Sequence, residues 1–271
     1  MRAEPGVITS AANPLVKRLR KLRHRKQRER EGAFVVEGIA QVWRAVEHGA
    51  DVEALVVAPE LLTSERAWRL VAEESAAGTM VVQLERGLFE DVTERDHPSG
   101  LAAIVRVHER ALSEIDPTTA SVFVVLDGVG NPGNLGSIIR SVDAAGRGAV
   151  VVVGESTDQY HPSAVKASMG ALFTVPVVRA RTMDEVFRWA SEHGVGVIGT
   201  SARAPVSCWD VRYEPPLMLV FGSEAMGLSP EVLARARTSV RIPMDGEVSS
   251  LNLAVAVGMV LYEVKRQLQK P

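Results

Sequence analysis

Four apolar runs in the second half of the chain, each the length of a β-strand, restrict its fold most. They are SVFVVL (121–126), AVVVV (149–153), VGVIGT (195–200) and LMLVF (217–221). Strands that are apolar on both faces are typical of a parallel sheet covered by helices on each side. Helical patterns lie between and after the runs, at 136–145, 163–173, 183–193, 230–236 and 251–267. The pattern predicts an α/β domain with a doubly wound, mostly parallel sheet.

The first half of the chain predicts a smaller α/β unit. Strand-like runs at 34–38, 52–58, 80–84 and 102–107 alternate with helical patterns at 39–48 and 64–74. The segment 108–120 is polar, contains Pro117 and lacks periodicity, so it is predicted to be a linker. The expected organisation is a basic N-terminal arm or helix (1–30), a small domain (31–107), the linker (108–120) and a second domain (121–271).

The composition argues against several classes of protein. No apolar run reaches the roughly 18–20 residues that a membrane span needs, and the N-terminus has no apolar signal core. A single cysteine, Cys208, excludes an internal disulfide and a cysteine-cluster zinc site. The histidines are scattered without HxxxH or HExxH spacing, so no metal site is predicted. We expect a cytoplasmic protein.

A strongly basic segment lies near the N-terminus of a chain whose net charge is only −2. The run KRLRKLRHRKQRER (17–30) contains a single acid, Glu29. Such a local field attracts polyanions whatever the global charge, so the run predicts a nucleic-acid partner, with a solvated helix face as the alternative. The candidate phosphate contacts are Lys17, Arg18, Arg20, Lys21, Arg23 and Arg25.

Three turns rich in glycine, serine and asparagine follow apolar runs in the second half. They are DGVGNPGNLGSIIRSVDAAG (127–146), VFGSEAMGLSP (220–230) and VRIPMDGEVSSLNLAVAV (240–257). A turn of this kind between a strand and a helix exposes backbone N–H groups to a ligand at the carboxyl edge of a parallel sheet. Three such turns together predict a binding site.

The first turn contains GxGxxG at Gly128, Gly130 and Gly133, which is the fingerprint of dinucleotide binding. Pro132 interrupts the turn, and no acidic residue follows at the expected distance of about twenty residues, so this match is weak. A Walker-type phosphate loop is excluded because the sequence has no GK[ST].

Four residues of the first two turns are candidates for the site. Asn134 can order a turn, and Arg140 is expected near the carboxyl edge of the sheet, as an anion clamp or as one partner of a surface ion pair. Gly222 has no side chain, which lets a ligand approach the backbone. Glu224 can accept hydrogen bonds from a ligand or from neighbouring backbone N–H groups.

The third turn carries further polar candidates. Ser249 or Ser250 is a good N-cap for the last helix, which is the structural explanation of these residues. Asn252 is predicted to be buried one turn into that helix, where its amide needs a partner.

The three turns together resemble the signature motifs of the SpoU/TrmH family of RNA ribose 2′-O-methyltransferases, in the expected order. NPGNLGSIIRSVDAAG resembles the first motif, FGSEAMGLS the second and IPMDGEVSSLNLAVA the third. KASMGALFTVP (166–176) resembles a segment between them. NPLVKRLRKL and FVVEGIAQVWRAV resemble the small, ribosomal-protein-like domain that binds substrate in many members.

The resemblance implies a trefoil knot in the C-terminal segment, a homodimer formed through this knotted methyltransferase domain (121–271), and an RNA substrate-binding domain at 31–107. It implies S-adenosylmethionine as cofactor and no metal. The implied cofactor-binding residues are Thr200, Gly222, Ile242, Met244, Ser250 and Leu251. The implied catalytic residues are Asn134, Arg140, Glu224, Ser250 and Asn252.

The implied reaction is methylation of a ribose 2′-hydroxyl in structured RNA, with 23S ribosomal RNA preferred as the target. The family assigns removal of the hydroxyl proton to the arginine that matches Arg140. Because a guanidinium stays protonated in proteins, binding a phosphate and stabilising the developing alkoxide is an equally consistent role. A transfer RNA ribose methyltransferase and a non-catalytic RNA-binding protein of the same fold are the alternatives.

Overall fold

The computed structural model of the chain describes residues 6–94, 97–118, 120–146 and 148–269. The chain forms two compact units. The N-terminal unit comprises the described residues of Met1–His108 and Tyr160–Phe173, and the C-terminal unit those of Glu109–Gln159 and Thr174–Pro271. No helix within these described ranges is long and apolar enough to cross a membrane.

The elements follow each other in an alternating order. Up to residue 106 they are α1 (Pro14–Leu22), α2 (Arg25–Glu31), β1 (Ala33–Glu37), α3 (Ile39–Glu47), β2 (Val52–Val57), α4 (Glu65–Ala77), β3 (Met80–Gln83), α5 (Arg86–Val92) and β4 (Leu101–Arg106). The remaining elements are β5 (Arg110–Ala111), β6 (Val122–Asp127), α6 (Pro132–Ala145), β7 (Gly148–Val153), α7 (Pro162–Ser168), β8 (Val177–Ala180), α8 (Met183–Glu192), β9 (Gly196–Thr200), β10 (Val206–Ser207), β11 (Leu217–Phe221), α9 (Pro230–Arg235), β12 (Thr238–Arg241) and α10 (Leu253–Leu268).

The C-terminal unit is built on one eight-stranded sheet in the order β10-β12-β9-β11-β6-β7-β8-β5. Its strand pairs are parallel. All residues of β11 are buried, and so are all residues of β6 except the last. Burial on both faces explains why these strands are continuous apolar runs in the sequence. The prediction of a parallel α/β sheet with a smaller N-terminal α/β unit is confirmed.

The strand order changes direction between β6 and β11. The chain adds β7 and β8 on one side of β6, and then crosses to the other side for β9, β11 and β12. In open α/β sheets, ligands bind at such a point, outside the carboxyl ends of the strands. Leu126 pairs with Phe221 at the ends of the two neighbouring strands. The turns that follow β6 and β11 therefore begin side by side.

Helices α6 and α10 pack side by side and in parallel. At their N-terminal ends the side chain of Asn252 donates to that of Asn134, and near their C-terminal ends Lys265 Nζ donates to the carbonyl of Ala144 at 2.8 Å. Between these contacts the helices approach closely, since a Cβ added to Gly258 would lie 4.0 Å from Ser141 Oγ. The pair brings the first and third glycine-rich turns to the same end of the helices.

The N-terminal unit contains a four-stranded sheet in the order β1-β4-β2-β3, with β4 antiparallel to both neighbours. Helix α1 packs Val16, Leu19 and Leu22 into its core, a spacing of three that forms one apolar helix face. The basic run is therefore not a free arm: it forms α1 and α2, which belong to this unit. Residues 1–5 of the predicted arm lie outside the described residues.

Two predicted domain boundaries differ from the structure. The predicted linker 108–120 contains β5 and a 3-10 turn, Leu112–Glu114, whose Leu112 is buried in the core of the C-terminal unit. Tyr160–Phe173, predicted within the second domain, belongs to the N-terminal unit, where the rings of Tyr160 and Phe34 lie 4.6 Å apart. Periodicity can show which residues of a segment face a core, but it cannot show which unit supplies that core, and tertiary packing decides it.

Candidate active site

Three residues from the three glycine-rich turns are joined by hydrogen bonds. The side-chain amide of Asn134 donates to Glu224 Oε1 at 2.9 Å, and the amide of Asn252 donates to Asn134 Oδ1 at 3.1 Å. An ionised carboxylate can only accept, so Glu224 determines which way the Asn134 amide points. We call Glu224, Asn134 and Asn252 the polar relay. It links α6, the turn after β11 and the start of α10.

Helix capping holds two members of the relay in position. Helix α6 begins at Pro132, and its N-cap Asn131 accepts from the backbone N–H of Asn134 at 3.1 Å. Asn252 is the N-cap of α10, and its Oδ1 accepts from the backbone N–H groups of Ala254 and Val255 at 2.9 and 3.3 Å. Each relay asparagine therefore lies in or beside a first helical turn whose direction is fixed.

The structure corrects the predictions for the third turn. Ser249 and Ser250 are exposed and precede the cap, so the serine cap predicted for the last helix is wrong. Asn252 is exposed rather than buried one turn into the helix. The sequence does carry the signal that was missed, because asparagine is as good an N-cap as serine.

Glu224 remains ionised at neutral pH. Partial burial raises its pKa, but the hydrogen bonds from the Asn134 side chain and from backbone N–H groups, including Gly130 at 3.4 Å, outweigh burial and leave the pKa below its usual value. A carboxyl whose pKa is lower in the folded than in the unfolded protein stabilises the fold at any pH above its pKa in the unfolded state. This contribution is lost as the pH falls through the pKa of the folded state. The relay is accordingly intact through the neutral range.

A cavity of about 810 Å³ adjoins the relay within the C-terminal unit. Its wall is formed by the ends of β9, β11 and β12, the turns that follow them and the first half of α10. The six residues expected to bind cofactor all line it, namely Thr200, Gly222, Ile242, Met244, Ser250 and Leu251. Glu224 lines the cavity as well as belonging to the relay. The cavity and the relay are thus parts of one site.

Gly222 is required by the turn itself. A Cβ at this position would lie 2.1 Å from the carbonyl carbon of Gly227 and 2.3 Å from the backbone nitrogen of Leu228. The sequence suggested that its missing side chain makes room for a ligand, but the space is filled by the returning backbone of the turn. Thr200 is also used internally, since its Oγ1 donates to the carbonyl of Val220 at 2.9 Å.

Arg140 is separate from the relay. It lies six residues after Asn134 on α6, which turns its side chain about 120° away around the helix. It is exposed, does not line the cavity, and makes no hydrogen bond or ion pair within the described part of the chain. The structure therefore joins Asn134, Glu224 and Asn252 but leaves Arg140 on another surface of the same helix.

Ion pairs occupy much of the basic run in the N-terminal unit. Arg18 binds Glu31 at 2.7 Å and also pairs with Glu53, and Arg20 pairs with Asp91. Arg25 binds Glu29 at 2.7 Å, while Arg23 donates to the carbonyls of Asp91 and Thr93 at 2.8 and 3.0 Å. The carboxylates compensate the charges of Arg18, Arg20 and Arg25, whereas Arg23 keeps its charge but has donors occupied by backbone carbonyls.

Lys17 and Lys21 differ from the arginines around them. Both are exposed, both lie one helical turn apart on α1, and neither makes a hydrogen bond or ion pair among the residues that the structure describes. Of the six predicted phosphate contacts, these two lysines retain the most accessible charge.

One carboxylate near the site was missed by the sequence analysis. Asp127 is the last residue of β6 and the first residue of the turn 127–146, and its partial burial raises the pKa of the carboxyl. An acidic residue at the end of an apolar strand was the available signal. The described residues contain no group of three or more His, Cys, Asp or Glu side chains that could hold a metal ion.

Two family models match the chain. The SpoU rRNA methylase family matches residues 121–262, more than half of the chain, and the MRM3-like substrate binding domain matches residues 13–103. The chain belongs to the SpoU rRNA methylase family. The resemblance of its three motifs is thereby confirmed, and the trefoil knot that the resemblance implies fits the fold of this family.

Similar proteins support this assignment over nearly the whole chain. The 23S rRNA (uridine(2479)-2′-O)-methyltransferase of Streptomyces viridochromogenes is 33% identical over 91% of this chain and 87% of its own length. The 23S rRNA (guanosine(2553)-2′-O)-methyltransferase RlmP of Bacillus subtilis is 29% identical over 95% and 98%. The AdoMet-bound rRNA methyltransferase of Sinorhizobium meliloti has a TM-score of 0.89 at 34% identity, covering 98% of this chain and 99% of that one.

Replacing Gly222 by alanine should destabilise the protein. The added Cβ meets backbone atoms that no side-chain rotation can move, so we expect Gly222→Ala to lower the free energy of unfolding by about 1–3 kcal/mol, the range for overpacking. Urea unfolding followed by circular dichroism measures this change. Gly246→Ala is the control, because a Cβ there meets nothing within 4 Å. Equal stability of the two variants would contradict the account of the turn.

Proposed function

We propose that this SpoU-family methylase transfers a methyl group from S-adenosylmethionine to a ribose 2′-hydroxyl in structured RNA, with 23S ribosomal RNA as the target. The observation that carries the proposal is that Glu224 both lines the cavity and anchors the relay to Asn134. The methyl donor in the cavity and the ribose that accepts the methyl group can then meet beside Glu224. The 23S rRNA activities of the relatives from Streptomyces viridochromogenes and Bacillus subtilis support the choice of RNA.

The cavity suits the proposed donor. Its volume of about 810 Å³ lies within the usual range of small-molecule sites. Gly222, Ile242 and Leu251 would hold the donor chiefly through their backbone, while Thr200, Met244 and Ser250 border it. The carboxylate of Glu224 places a negative charge at the wall, which favours a cationic ligand. S-adenosylmethionine supplies an already activated methyl group, so the protein mainly has to orient the acceptor.

The relay orients the acceptor rather than removing its proton. Because Glu224 has a lowered pKa and is held by Asn134 and Gly130, it is a weak base. Its contribution is to keep the Asn134 amide in one orientation at the rim of the cavity. A ribose presented there meets fixed polar groups.

Arg140 supplies positive charge for the reaction. A guanidinium stays protonated, so we assign it to the RNA phosphate and to the alkoxide that develops as the hydroxyl releases its proton to solvent water. Its exposure and lack of a partner within the described residues leave it available for this task.

Arg140→Ala should separate binding from reaction. With a 23S rRNA transcript and methyl-labelled donor, we expect the native protein to label a ribose. The variant should lose about 10²–10³-fold in kcat, as when a donor to a developing oxyanion is removed. Calorimetry should give the same donor affinity for both, since Arg140 does not line the cavity.

Mapping the labelled nucleotide identifies the target. Label on a base, or labelling of transfer RNA alone, would contradict the assignment, and donor binding without labelling of any RNA would favour a non-catalytic RNA-binding role.

The proposal includes a homodimer formed through the knotted C-terminal domain. Helix α10 carries exposed apolar side chains at Val255, Met259 and Tyr262, which are 51, 50 and 72% exposed and lie four and three residues apart. An apolar stripe on one helix is typical of a surface that another chain covers. A second copy fits best, because Arg140 lies on the neighbouring α6 outside the cavity of its own chain. In a symmetric dimer it would serve the site of the partner.

Disrupting the apolar stripe should give monomers. We expect Met259→Glu/Tyr262→Glu to sediment at half the mass of the native protein in analytical ultracentrifugation, since two desolvated charges would face two others across the symmetry axis. Met80→Glu, at an exposed methionine of the N-terminal unit, should leave the assembly unchanged.

Co-expressed Glu224→Ala and Arg140→Ala chains should recover about a quarter of native activity, through one complete site in each mixed dimer. No recovery would show that Arg140 acts within its own chain.

The N-terminal unit is proposed to bind the RNA. The match of residues 13–103 to a substrate binding domain supports this assignment, and the accessible charges of Lys17 and Lys21 provide phosphate contacts. The arginines held in ion pairs contribute less, because their charge is already compensated. Since the proposed target is ribosomal RNA, the proposal includes a cytoplasmic location.

Removing the two lysines should weaken RNA binding and its salt dependence. Each phosphate contact contributes about 0.7–0.9 to the slope of log affinity against log salt, so we expect Lys17→Gln/Lys21→Gln to lower the slope by about 1–2. Filter binding at several salt concentrations measures it. Arg66→Gln/Arg69→Gln removes the same charge from exposed positions on α4 and should change the slope less. Equal changes in both variants would point to the net charge of the unit instead of a contact by α1.

A further inference from the structure

Met226 is the most exposed large apolar side chain in the described part of the chain, at 87%, and it lines the mouth of the cavity. We infer that Met226 packs against the base of the nucleotide whose ribose is methylated, and so positions that nucleotide. The inference rests on the proposed function and deepens it. The site described so far consists of the cavity for the methyl donor and the polar relay. Met226 would be a further residue of this site, one that contacts the nucleotide to be methylated.

The turn that carries Met226 is held by hydrogen bonds at its centre and by buried residues at its ends. Phe221 and Leu228, at its two ends, are buried at 2 and 7% exposure. Between them the backbone N–H of Gly227 donates to the carbonyl of Ser223 at 2.9 Å, and that of Met226 donates to Ser223 Oγ at 3.2 Å. The close backbone contact at Gly222 locks the base of the turn. Met226 is therefore held out into solvent by ordered structure.

The fold does not require methionine at this position. The turn uses only the backbone N–H of Met226, which almost any residue would supply. Single exposed apolar residues are common on protein surfaces and by themselves indicate nothing. Met226 differs because it stands at the rim of the cavity, two residues from Glu224. An apolar side chain at that point is of use to a ligand with an apolar surface.

The acceptor nucleotide presents such a surface within reach. Two residues of extended chain span at most about 7 Å, so the backbone of Met226 is within that distance of Glu224. A ribose held beside Glu224 and Asn134 carries its base directly on the sugar ring. In RNA recognition, bases of single-stranded loops are splayed out and packed against side chains. The base of the acceptor then lies where the Met226 side chain can contact it.

The chemistry of methionine suits contact with a base of any identity. Its thioether is polarisable and flexible, and it packs favourably against aromatic rings, by an amount that corresponds to about a two- to tenfold change in binding. Every base has such a face, so this contact holds the nucleotide without selecting among bases. Met226 would thus act on acceptor affinity, while the donor is held by other residues of the cavity.

The test compares Met226→Gln with Met226→Leu on the RNA that the native protein methylates. We expect Met226→Gln to raise KM for RNA about two- to tenfold with kcat changed by less than about twofold, and Met226→Leu, which keeps the apolar surface but lacks the sulfur, to restore part of the loss. Trp209→Gln, at an exposed apolar residue of the C-terminal unit that does not line the cavity, is the control and should leave KM unchanged. An RNA lacking only the base at the mapped ribose should abolish the difference between native protein and Met226→Gln.

Three results would overturn the inference while leaving the proposed function intact. An unchanged KM would remove Met226 from the acceptor site. Weaker donor binding by calorimetry, matching the loss in activity, would make Met226 part of the donor cavity. Dissociation of the dimer in sedimentation would assign it to contact between copies. If the native protein methylates no RNA, the proposed function itself fails, and this outcome is recognised before any variant is compared.

Discussion

The parallel pairing of β6 with β11 is the constraint on which the rest of the site depends. Leu126 pairs with Phe221 near the carboxyl ends of the two strands, so the turn leading to Asn134 and the turn carrying Glu224 start from neighbouring positions although Asn134 and Glu224 are 90 residues apart in sequence. Because side chains alternate between the faces of a sheet, a slip of one residue would reverse what each strand presents. Side chains are packed on both faces of these strands, so a slip would move all of them out of their fitted positions, and this holds Val122 opposite Leu217 and Leu126 opposite Phe221. Packing of α10 against α6 then brings Asn252 to the same point.

The site is formed largely by backbone geometry. Gly222 allows the turn after β11 to fold back upon itself, Asn131 and Asn252 cap the helices that bear the relay, and Thr200 is tied to β11 by its hydroxyl. These contacts use the polar groups that first suggest ligand binding. Their effect is to hold a cavity open beside one ionised carboxylate. A methyl donor that is already activated needs such a cavity and a well-oriented acceptor more than it needs a strong base.

The basic run shows that the number of basic residues in a segment does not give the positive charge that it presents in the folded protein. Its spacing of apolar residues places α1 on the core of the N-terminal unit, and once it lies there, acids from distant parts of the chain pair with its arginines. Glu53 and Asp91 are remote in sequence, so no local reading of charge could include them. Among the six predicted phosphate contacts, Lys17 and Lys21 are the ones that make no hydrogen bond or ion pair in the part of the chain that the structure describes.

The sequence by itself determined the parallel sheet, the division into two α/β units and the three motifs of the family. Continuous apolar runs and glycine-rich turns are local signals, because each depends only on residues that are close together in the sequence. Only the tertiary structure decided that Asn134 binds Glu224 and Asn252, and that the backbone of the turn fills the space beside Gly222 where a side chain would lie. It also decided that the described residues of Glu109–Ala120 belong to the C-terminal unit and those of Tyr160–Phe173 to the N-terminal unit. The physical reason is the same in each case: these contacts join residues far apart in the chain, and spacing along a sequence carries no information about which distant groups will meet.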